Sequence, residues 1–84
     1  MNFVSLLGRI QSALDGKTRI LEVSRPEGGD NSHNLNIPCQ YWTNDERNMF
    51  TALKEGTLIV VRGRIDYVEK HGFVVIAEQI TVVK

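Results

Sequence analysis

The sequence of 84 residues predicts an all-β fold, a barrel of five strands with one helix between the third and fourth strands. Apolar and polar residues alternate over most of the chain, which is typical of half-buried strands. Glycine interrupts two such runs, "LLGRI" at residues 6–10 and "VVRGRI" at residues 60–65. A glycine inside a strand marks a bulge, a bend or a close approach of another backbone. Two bent strands indicate a barrel, and one segment between the strands carries helix signals instead.

The first two strands are expected to form a hairpin. Residues 2–14 alternate and carry apolar groups on both faces, so one face should meet the core and part of the other should meet a neighbour. The stretch Asp15-Gly16-Lys17 indicates a tight turn, because Asp-Gly supplies the positive backbone dihedrals that such turns need. The second strand follows at residues 18–26, and residues 27–34 have the composition of a loop.

The third strand, residues 35–42, contains Pro38, which has no amide hydrogen to donate and is therefore expected on an edge or at a bulge. A helix is predicted over residues 43–56. Its signals are the capping-box spacing of Thr43 and Glu46 and the glycine that ends the segment. Its apolar face, expected to plug the open end of the barrel, consists of Met49, Phe50 and Leu53.

The last two strands are predicted at residues 57–70 and 73–83, joined by a turn that contains a glycine. The apolar phase of the fifth strand shifts across Glu78 and Gln79, which predicts a bulge. The order strand, strand, strand, helix, strand, strand matches the oligonucleotide-binding (OB) fold, a five-stranded, partly open Greek-key barrel. One such domain is expected to span residues 1–84.

The composition narrows the function classes. Ten acidic and ten basic side chains leave no net charge, so any anion binding must come from a local patch rather than from a general cationic field. The single cysteine, Cys39, forms no intrachain disulfide, and no apolar run approaches the roughly 20 residues of a membrane span. The N-terminus lacks the pattern of a secretory leader. We therefore expect a cytoplasmic protein with no membrane partner.

Three segments of the sequence resemble the nucleic-acid-binding core of bacterial single-stranded DNA-binding proteins and of the related primosomal replication protein. They are MNFVSLLGRI, ALKEGTLIVVRGRI and VIAEQITVV, in that order. The resemblance implies an OB fold that binds single-stranded DNA with little sequence preference in replication, recombination or repair, and that forms a homo-oligomer, a dimer or tetramer. The sequence departs from the family in two ways. It has no aromatic residue in the second strand and following loop, and it ends without the family's acidic C-terminal tail.

One aromatic residue and a set of cations are candidates for a binding surface. The resemblance places Trp42 where the family carries an aromatic side chain that stacks on bases; the alternative is a lid on the core. Alternation puts Gly63 on the inward side of the fourth strand and drives Arg62 and Arg64 outward. The candidate phosphate contacts are Arg62, Arg64, Arg9, Arg19, Arg25, Lys17 and Lys70. Alternatively, the arginines only solubilise the surface or pair across strands with acidic residues such as Glu78.

Other aromatic and apolar residues have two interpretations each. Tyr67 and Phe73 flank the turn between the fourth and fifth strands, where they could stack on bases or could anchor the hairpin by cross-strand packing. Tyr41 takes the face opposite to the indole that follows it and is expected in the core. Leu58 and Val60 point outward in the fourth strand, which suggests association with a second copy of the chain.

No metal site, cofactor or catalytic arrangement is predicted, so the protein is not expected to be an enzyme. Cys39, His33 and His71 lack the paired spacing of metal ligands. No nucleophile triad or phosphate-binding glycine loop is present in the sequence pattern. The alternative to nucleic-acid binding is a protein-interaction or assembly module built on the same fold. The two alternatives differ in whether the arginines and the single tryptophan converge on one groove.

Overall fold

Five β-strands form a closed barrel in residues 1–24 and 34–84, the part of the chain that the computed structural model describes. The strands are β1 (Val4–Ala13), β2 (Thr18–Val23), β3 (Leu35–Tyr41), β4 (Leu58–Val68) and β5 (Gly72–Val82). Their order around the barrel is β1-β2-β3-β5-β4, and β4 pairs with β1. The β3–β5 pair is parallel and the other pairs are antiparallel. The predicted all-β barrel of five strands is confirmed and is consistent with an OB fold.

The core takes alternate residues from all five strands, because successive side chains of a strand point to opposite faces. The strand residues of its buried apolar cluster are Ile10, Leu21, Cys39, Ile59, Val61, Val75 and Ala77. Complete burial of a side chain such as Leu, Ile or Val contributes about 1.5–3 kcal/mol. Apolar burial is therefore the main source of stability for this barrel, and its surface ion pairs contribute little by comparison.

Two strand glycines allow neighbouring backbones to approach closely. A Cβ atom on Gly63 would lie 1.8 Å from the carbonyl oxygen of Ile76, and one on Gly8 would lie 2.6 Å from that of Glu22. Both atoms that a methyl group would meet belong to the backbone, so no side chain can rotate out of the way. Close approach of a neighbouring strand, one of the three expectations for these glycines, is therefore confirmed.

The predicted bulge is present in β5. Arg62 of β4 pairs with Gln79, but the next residue, Gly63, pairs with Ala77, so Glu78 has no partner in β4. One extra residue reverses the alternation, which explains why the apolar residues before and after it both face the core. The shift in apolar phase was therefore a correct signal.

The turn between β1 and β2 is closed by a side chain. Asp15 Oδ1 accepts hydrogen bonds from the amides of Lys17 at 2.9 Å and Thr18 at 2.8 Å. Gly16 does not have a positive φ, so the hairpin prediction is confirmed but its stated reason is wrong. The carboxylate, rather than a left-handed glycine, shapes this turn. By contrast, Gly72 has a φ of 77° at the turn into β5, as a glycine turn requires.

Pro38 lies where β3 has an open edge. It pairs with Ile20 of β2, whereas the pairing of β3 with β5 begins one residue later, at Cys39. The missing amide hydrogen therefore interrupts no pairing with β5, as predicted for an edge position.

The helix predicted over residues 43–56 is wrong, because these residues form bends and turns without a helix. Asn48 Oδ1 accepts hydrogen bonds from the amides of Phe50 and Thr51 at 2.9 and 3.0 Å. The Thr51 hydroxyl donates to the Glu46 carbonyl at 2.7 Å. Such side-chain bonds give the backbone an alternative to helical pairing. Within the described residues, no helix is long and apolar enough to cross a membrane.

The same segment still plugs one end of the barrel. Phe50 is fully buried, and its ring stacks on Tyr41 with centroids 6.5 Å apart. Leu53 packs half-buried against the core, whereas Met49 is exposed. The predicted plug is confirmed, and Tyr41, expected in the core, is half-buried and packs against it; the assignment of Met49 to the plug is wrong.

The guanidinium group of Arg19 ties this plug to the barrel. Arg19 is buried on the same side of β2 as Leu21. Its nitrogens donate to the carbonyl oxygens of Gln11, Phe50, Thr51 and Leu53, the first three at 3.0 to 3.4 Å. Burial lowers the pKa of Arg19 and nearby Glu55 opposes the shift, but an arginine side chain keeps its charge. The carbonyl groups of this segment thus accept hydrogen bonds from the Arg19 side chain, where in a helix they would accept them from backbone amides.

Candidate nucleic-acid interface

Trp42 is held in an open position at the end of β3. Its indole is 61 % exposed, and its amide donates to the carbonyl oxygen of Ala77 at 2.9 Å. The indole packs edge-to-face against the Tyr41 ring, with ring centroids 5.9 Å apart and planes at 61°. The indole is therefore fixed on one side and free on its other surfaces. A ring in this position can stack on a base and does not serve as a lid on the core.

The outward arginines of β4 are both exposed. Arg64 pairs with Glu78 of the bulge at 3.4 Å, and about half of each side chain is exposed. This contact is the cross-strand ion pair that was the alternative interpretation of the arginines. Exposed pairs of this kind contribute about 0–1 kcal/mol, so a phosphate can compete for the guanidinium. Arg62 lies opposite Gln79, on the same outer side of β4.

The bulge brings the indole and one guanidinium together. Tyr41 is aligned with Ala77 in the parallel pairing of β3 and β5, and the Trp42 amide bonds to the Ala77 carbonyl, so continuing the register by one residue puts Trp42 next to Glu78. Arg64 reaches the same carboxylate from β4. Two strand spacings, roughly 10 Å, separate β3 from β4 across β5. The barrel thus places an aromatic ring and a cation on either side of one bulge residue.

The hairpin between β4 and β5 carries a second pair of exposed rings. Tyr67 and Phe73 are directly opposite each other, with centroids 5.4 Å apart and planes at 79°. This cross-strand packing agrees with the structural alternative, yet the two residues remain 63 % and 71 % exposed. An apolar cavity of about 180 Å³ lies next to Phe73. Its lining includes Val4, Leu6, Ile37, Ile65, Phe73 and Val75.

The same hairpin is joined to the β1–β2 turn by charged groups. His71 Nε2 lies 2.6 Å from Asp15 Oδ2, and Lys70 Nζ lies 3.6 Å from the same oxygen. The bond with His71 is the main reason that the pKa of Asp15 lies well below its ordinary value; bonds from the amides of Lys17 and Thr18 act in the same direction, against the effect of burial. Lys70 is therefore on the hairpin as expected, with its charge already facing a carboxylate.

The remaining predicted cations are not collected at this surface. Arg9 is exposed on β1 and donates to the Gly56 carbonyl at 3.0 Å. Arg19 is buried and its donors are used within the fold, so we leave it out of the interface. Lys17 is exposed in the β1–β2 turn. Arg25 lies outside the described residues.

Phe3 is a candidate that the sequence analysis did not select. Its side chain is 85 % exposed just before β1. In the sequence it is one of several apolar residues in an alternating run, which gives no reason to separate it from core positions. The alternation of β1 could have singled out Phe3, because it puts this ring on the outer side of the strand together with Ser5, Leu7 and Arg9.

The sequence matches no protein-family model and no curated protein. Solved structures do match it. The small single-stranded DNA-binding protein of Streptomyces coelicolor gives a TM-score of 0.70 at 17 % identity, covering 99 % of this chain and 95 % of that chain. The second single-stranded DNA-binding protein of Mycobacterium smegmatis gives 0.61 at 21 % identity, covering 96 % and 87 %.

The dimeric N-terminal domain of PriB from Thermoanaerobacter tencongensis gives a TM-score of 0.62 at 22 % identity, covering 99 % of this chain and 97 % of that chain. At these identities the likeness establishes the fold. The chain has the barrel of bacterial single-stranded DNA-binding proteins and of PriB, the two kinds of protein that its sequence motifs resemble.

Proposed function

We propose that this protein binds single-stranded DNA with little sequence preference and performs no chemistry. The observation that carries the proposal is the exposed indole of Trp42, bonded through its amide to Ala77 of β5, with the Arg64–Glu78 pair at the next residue of the same strand. Rings and cations in alternation are what single-strand binding needs. The fold, shared with proteins named for single-stranded DNA binding, supports the same role.

Stacking on Trp42 supplies the sequence-independent contact with bases. Every base has a π face, and stacking on an aromatic side chain contributes about 1–3 kcal/mol per base. Arg62 and Arg64 neutralise phosphates, with the phosphate at Arg64 replacing Glu78. On the hairpin, Tyr67 and Phe73 offer further ring surface.

We further propose that the protein acts as a dimer or tetramer in the cytoplasm, in replication, recombination or repair. Leu7 of β1 is exposed and lies opposite Val60 of β4, with Leu58 on the same outer side. Water-exposed apolar residues at adjacent positions favour contact with another copy. Light scattering on the purified protein tests this part, and a monomeric mass at all concentrations contradicts it.

A fluorescence titration tests the DNA proposal, because the chain has one tryptophan. The ligand is oligo-dT of about 20 nucleotides, longer than the roughly 4–16 that one OB fold covers. We expect quenching of Trp42 that weakens with salt. If three cations contact phosphates, the slope of log affinity against log salt is about −2, since each contributes about −0.7 on a single strand.

Variants assign the contacts, with binding followed by the anisotropy of a labelled oligonucleotide. Trp42→Ala is expected to weaken binding about 5- to 100-fold. The double variant Arg62→Ala/Arg64→Ala should reduce the salt slope by about 1.4. Lys54→Ala, which removes an exposed cation that is not part of the proposed interface, is the matched control and should bind as wild type. Absence of quenching and of any gel shift at low salt would favour the protein-interaction module instead.

A further inference from the structure

A second exposed ring lies next to the β4 arginines, on the β1 side. Phe3 precedes β1 and is 85 % exposed. The neighbouring Asn2 side chain is bonded to β4 at both of its polar atoms: Oδ1 accepts from the Ile65 amide at 2.7 Å, and Nδ2 donates to the Ile65 carbonyl at 3.3 Å. The amide group of Asn2 thus extends the β1–β4 pairing beyond the strand and fixes the backbone next to Phe3.

The register sets the position of this ring relative to the arginines. Ser5 of β1 pairs with Arg62 of β4. Two residues earlier on an antiparallel partner, Phe3 falls opposite Arg64 and on the same outer side of β1 as Ser5. The two guanidinium groups of β4 therefore have Phe3 on the β1 side and Trp42 beyond β5 on the other side.

An open cleft of about 440 Å³ lies beside Phe3. Besides the apolar Val4, its lining offers a ring, a hydroxyl, a guanidinium, a carboxylate and an amide, from Phe3, Ser5, Arg62, Glu78 and Gln79. The carboxylate is already paired with the Arg64 guanidinium at 3.4 Å. These are the groups that bind a nucleotide: a face for the base, a cation for the phosphate, and donors and acceptors for polar edges.

We propose that this cleft is a second nucleotide subsite, in which Phe3 stacks on a base and Arg62 contacts the adjoining phosphate. The proposal rests on the single-stranded DNA binding proposed above and extends it to a surface that the sequence analysis did not include. Ser5 and Gln79 both donate and accept hydrogen bonds, so they can contact different bases without selecting one. A contact with a second copy is the competing occupant, but the apolar residues suited to it, Leu7 and Val60, lie farther along the strands.

A second subsite at Phe3 implies a minimum length of DNA for contact with both rings. From β1 across β4 and β5 to β3 there are three strand spacings, at least about 14 Å along the surface. With bases stacked at about 3.4 Å, four nucleotides span only about 10 Å, so the stacked strand needs at least about five nucleotides to reach from Phe3 to Trp42. A short oligonucleotide that quenches Trp42 therefore leaves Phe3 free, whereas a long one occupies both rings.

Phe3→Ala tests this with oligo-dT of two lengths. For about 20 nucleotides we expect binding weakened by roughly 5-fold or more, because one stacking contact is lost. For about four nucleotides, Trp42 quenching should be unchanged within error. Because Phe3 is exposed, the variant is expected to fold as wild type, which circular dichroism verifies. Leu14→Ala, which removes an exposed apolar side chain just after the opposite end of β1, is the matched control and should not change long-oligonucleotide affinity.

Photo-cross-linking gives an independent readout on the unmodified chain. Oligo-dT containing 5-iodouracil is irradiated with the protein, and the joined peptides are mapped by mass spectrometry. We expect cross-links in the peptide of Phe3 as well as in that of Trp42. Cross-links and quenching at Trp42 with none at Phe3, and wild-type affinity of Phe3→Ala, would overturn the subsite and leave the proposed function standing. A lower oligomeric mass of Phe3→Ala would assign the ring to a contact between copies and would also overturn it. Loss of the Trp42 signals themselves would instead contradict the proposed function.

Discussion

Replacing Arg19 by Met is expected to lower the free energy of unfolding by about 3 kcal/mol without weakening DNA binding by the folded protein. The guanidinium donates to four carbonyl groups, three of them in the segment that carries Phe50. Each hydrogen bond to a charged group contributes about 1.5–3 kcal/mol, but bonds from one side chain are not additive. A buried acceptor that loses its donor costs about 1–3 kcal/mol. We take the upper end because several carbonyl groups lose their donor together, although Met fills the volume of the arginine stem.

Urea unfolding followed by circular dichroism measures the effect. At a slope of roughly 1 kcal/mol per molar urea, the low end for small domains, the midpoint falls by about 3 M. Domains of this kind have about 5–15 kcal/mol in total, so the variant remains folded in buffer. Arg19→Lys keeps the charge but not the planar fork of donors, and we expect about half the loss. Arg9→Met is the control, because that exposed side chain donates to one carbonyl group and should change stability by less than about 1 kcal/mol.

Two results would refute this reasoning about Arg19. If Arg19→Met unfolds within about 0.5 kcal/mol of wild type, the change expected for an ordinary surface substitution, its bonds do not hold the plug. If stability is unchanged and DNA affinity falls with a smaller salt slope, the guanidinium contacts phosphate, as the sequence analysis predicted.

Gly63→Ala places a methyl group against the Ile76 carbonyl oxygen, and we expect a loss of about 3 kcal/mol, the upper end for overpacking, in the same urea assay. Because the pKa of Asp15 is held low, chiefly by His71, its contribution to stability is present above the ordinary value of 3.8 and is lost as the pH falls below it. Asp15→Asn should therefore be less stable than wild type near neutral pH and should lose less stability on acidification. If the free energy of unfolding falls equally with pH in the two proteins, this prediction is wrong. Burial raises the pKa of the Cys39 thiol to about 12, so a thiol reagent should label it only after unfolding, and rapid labelling of native protein would count against the buried position.

The strand framework could be predicted because its signals repeat. Each strand has a period of two over six residues or more, and a slip of one residue would expose a whole face. The bulge was visible for the same reason, since the apolar phase changed across Glu78 and Gln79. Gly63 was visible because a missing side chain inside such a run needs a cause outside the strand.

The segment after β3 could not be predicted because its helix signals are also turn signals. Thr, Asn and Asp cap helices and equally close isolated turns through the same side-chain bonds. The turn conformation is stabilised from outside the segment, because the Arg19 guanidinium donates to three of its carbonyl groups. The sequence analysis treated Arg19 as a solvent-exposed cation that could contact phosphate. No local pattern in β2 shows that carbonyl groups of a distant segment accept its hydrogen bonds.

The candidate site shows the same division between local and distant information. The family resemblance selected Trp42 and strand alternation selected Arg64 as candidates, but their relation depends on which strand lies between them and on one residue of that strand, Glu78, that has no partner in β4. Glu78 also limits the contribution of Arg64 to DNA binding. Because this arginine already pairs with a carboxylate, exchanging the carboxylate for a phosphate changes the free energy only by the small difference between two exposed ion pairs. With ten acidic and ten basic side chains and no net attraction for DNA, affinity must come mainly from ring surfaces. The proposed interface is therefore expected to depend more on aromatic residues than on cations.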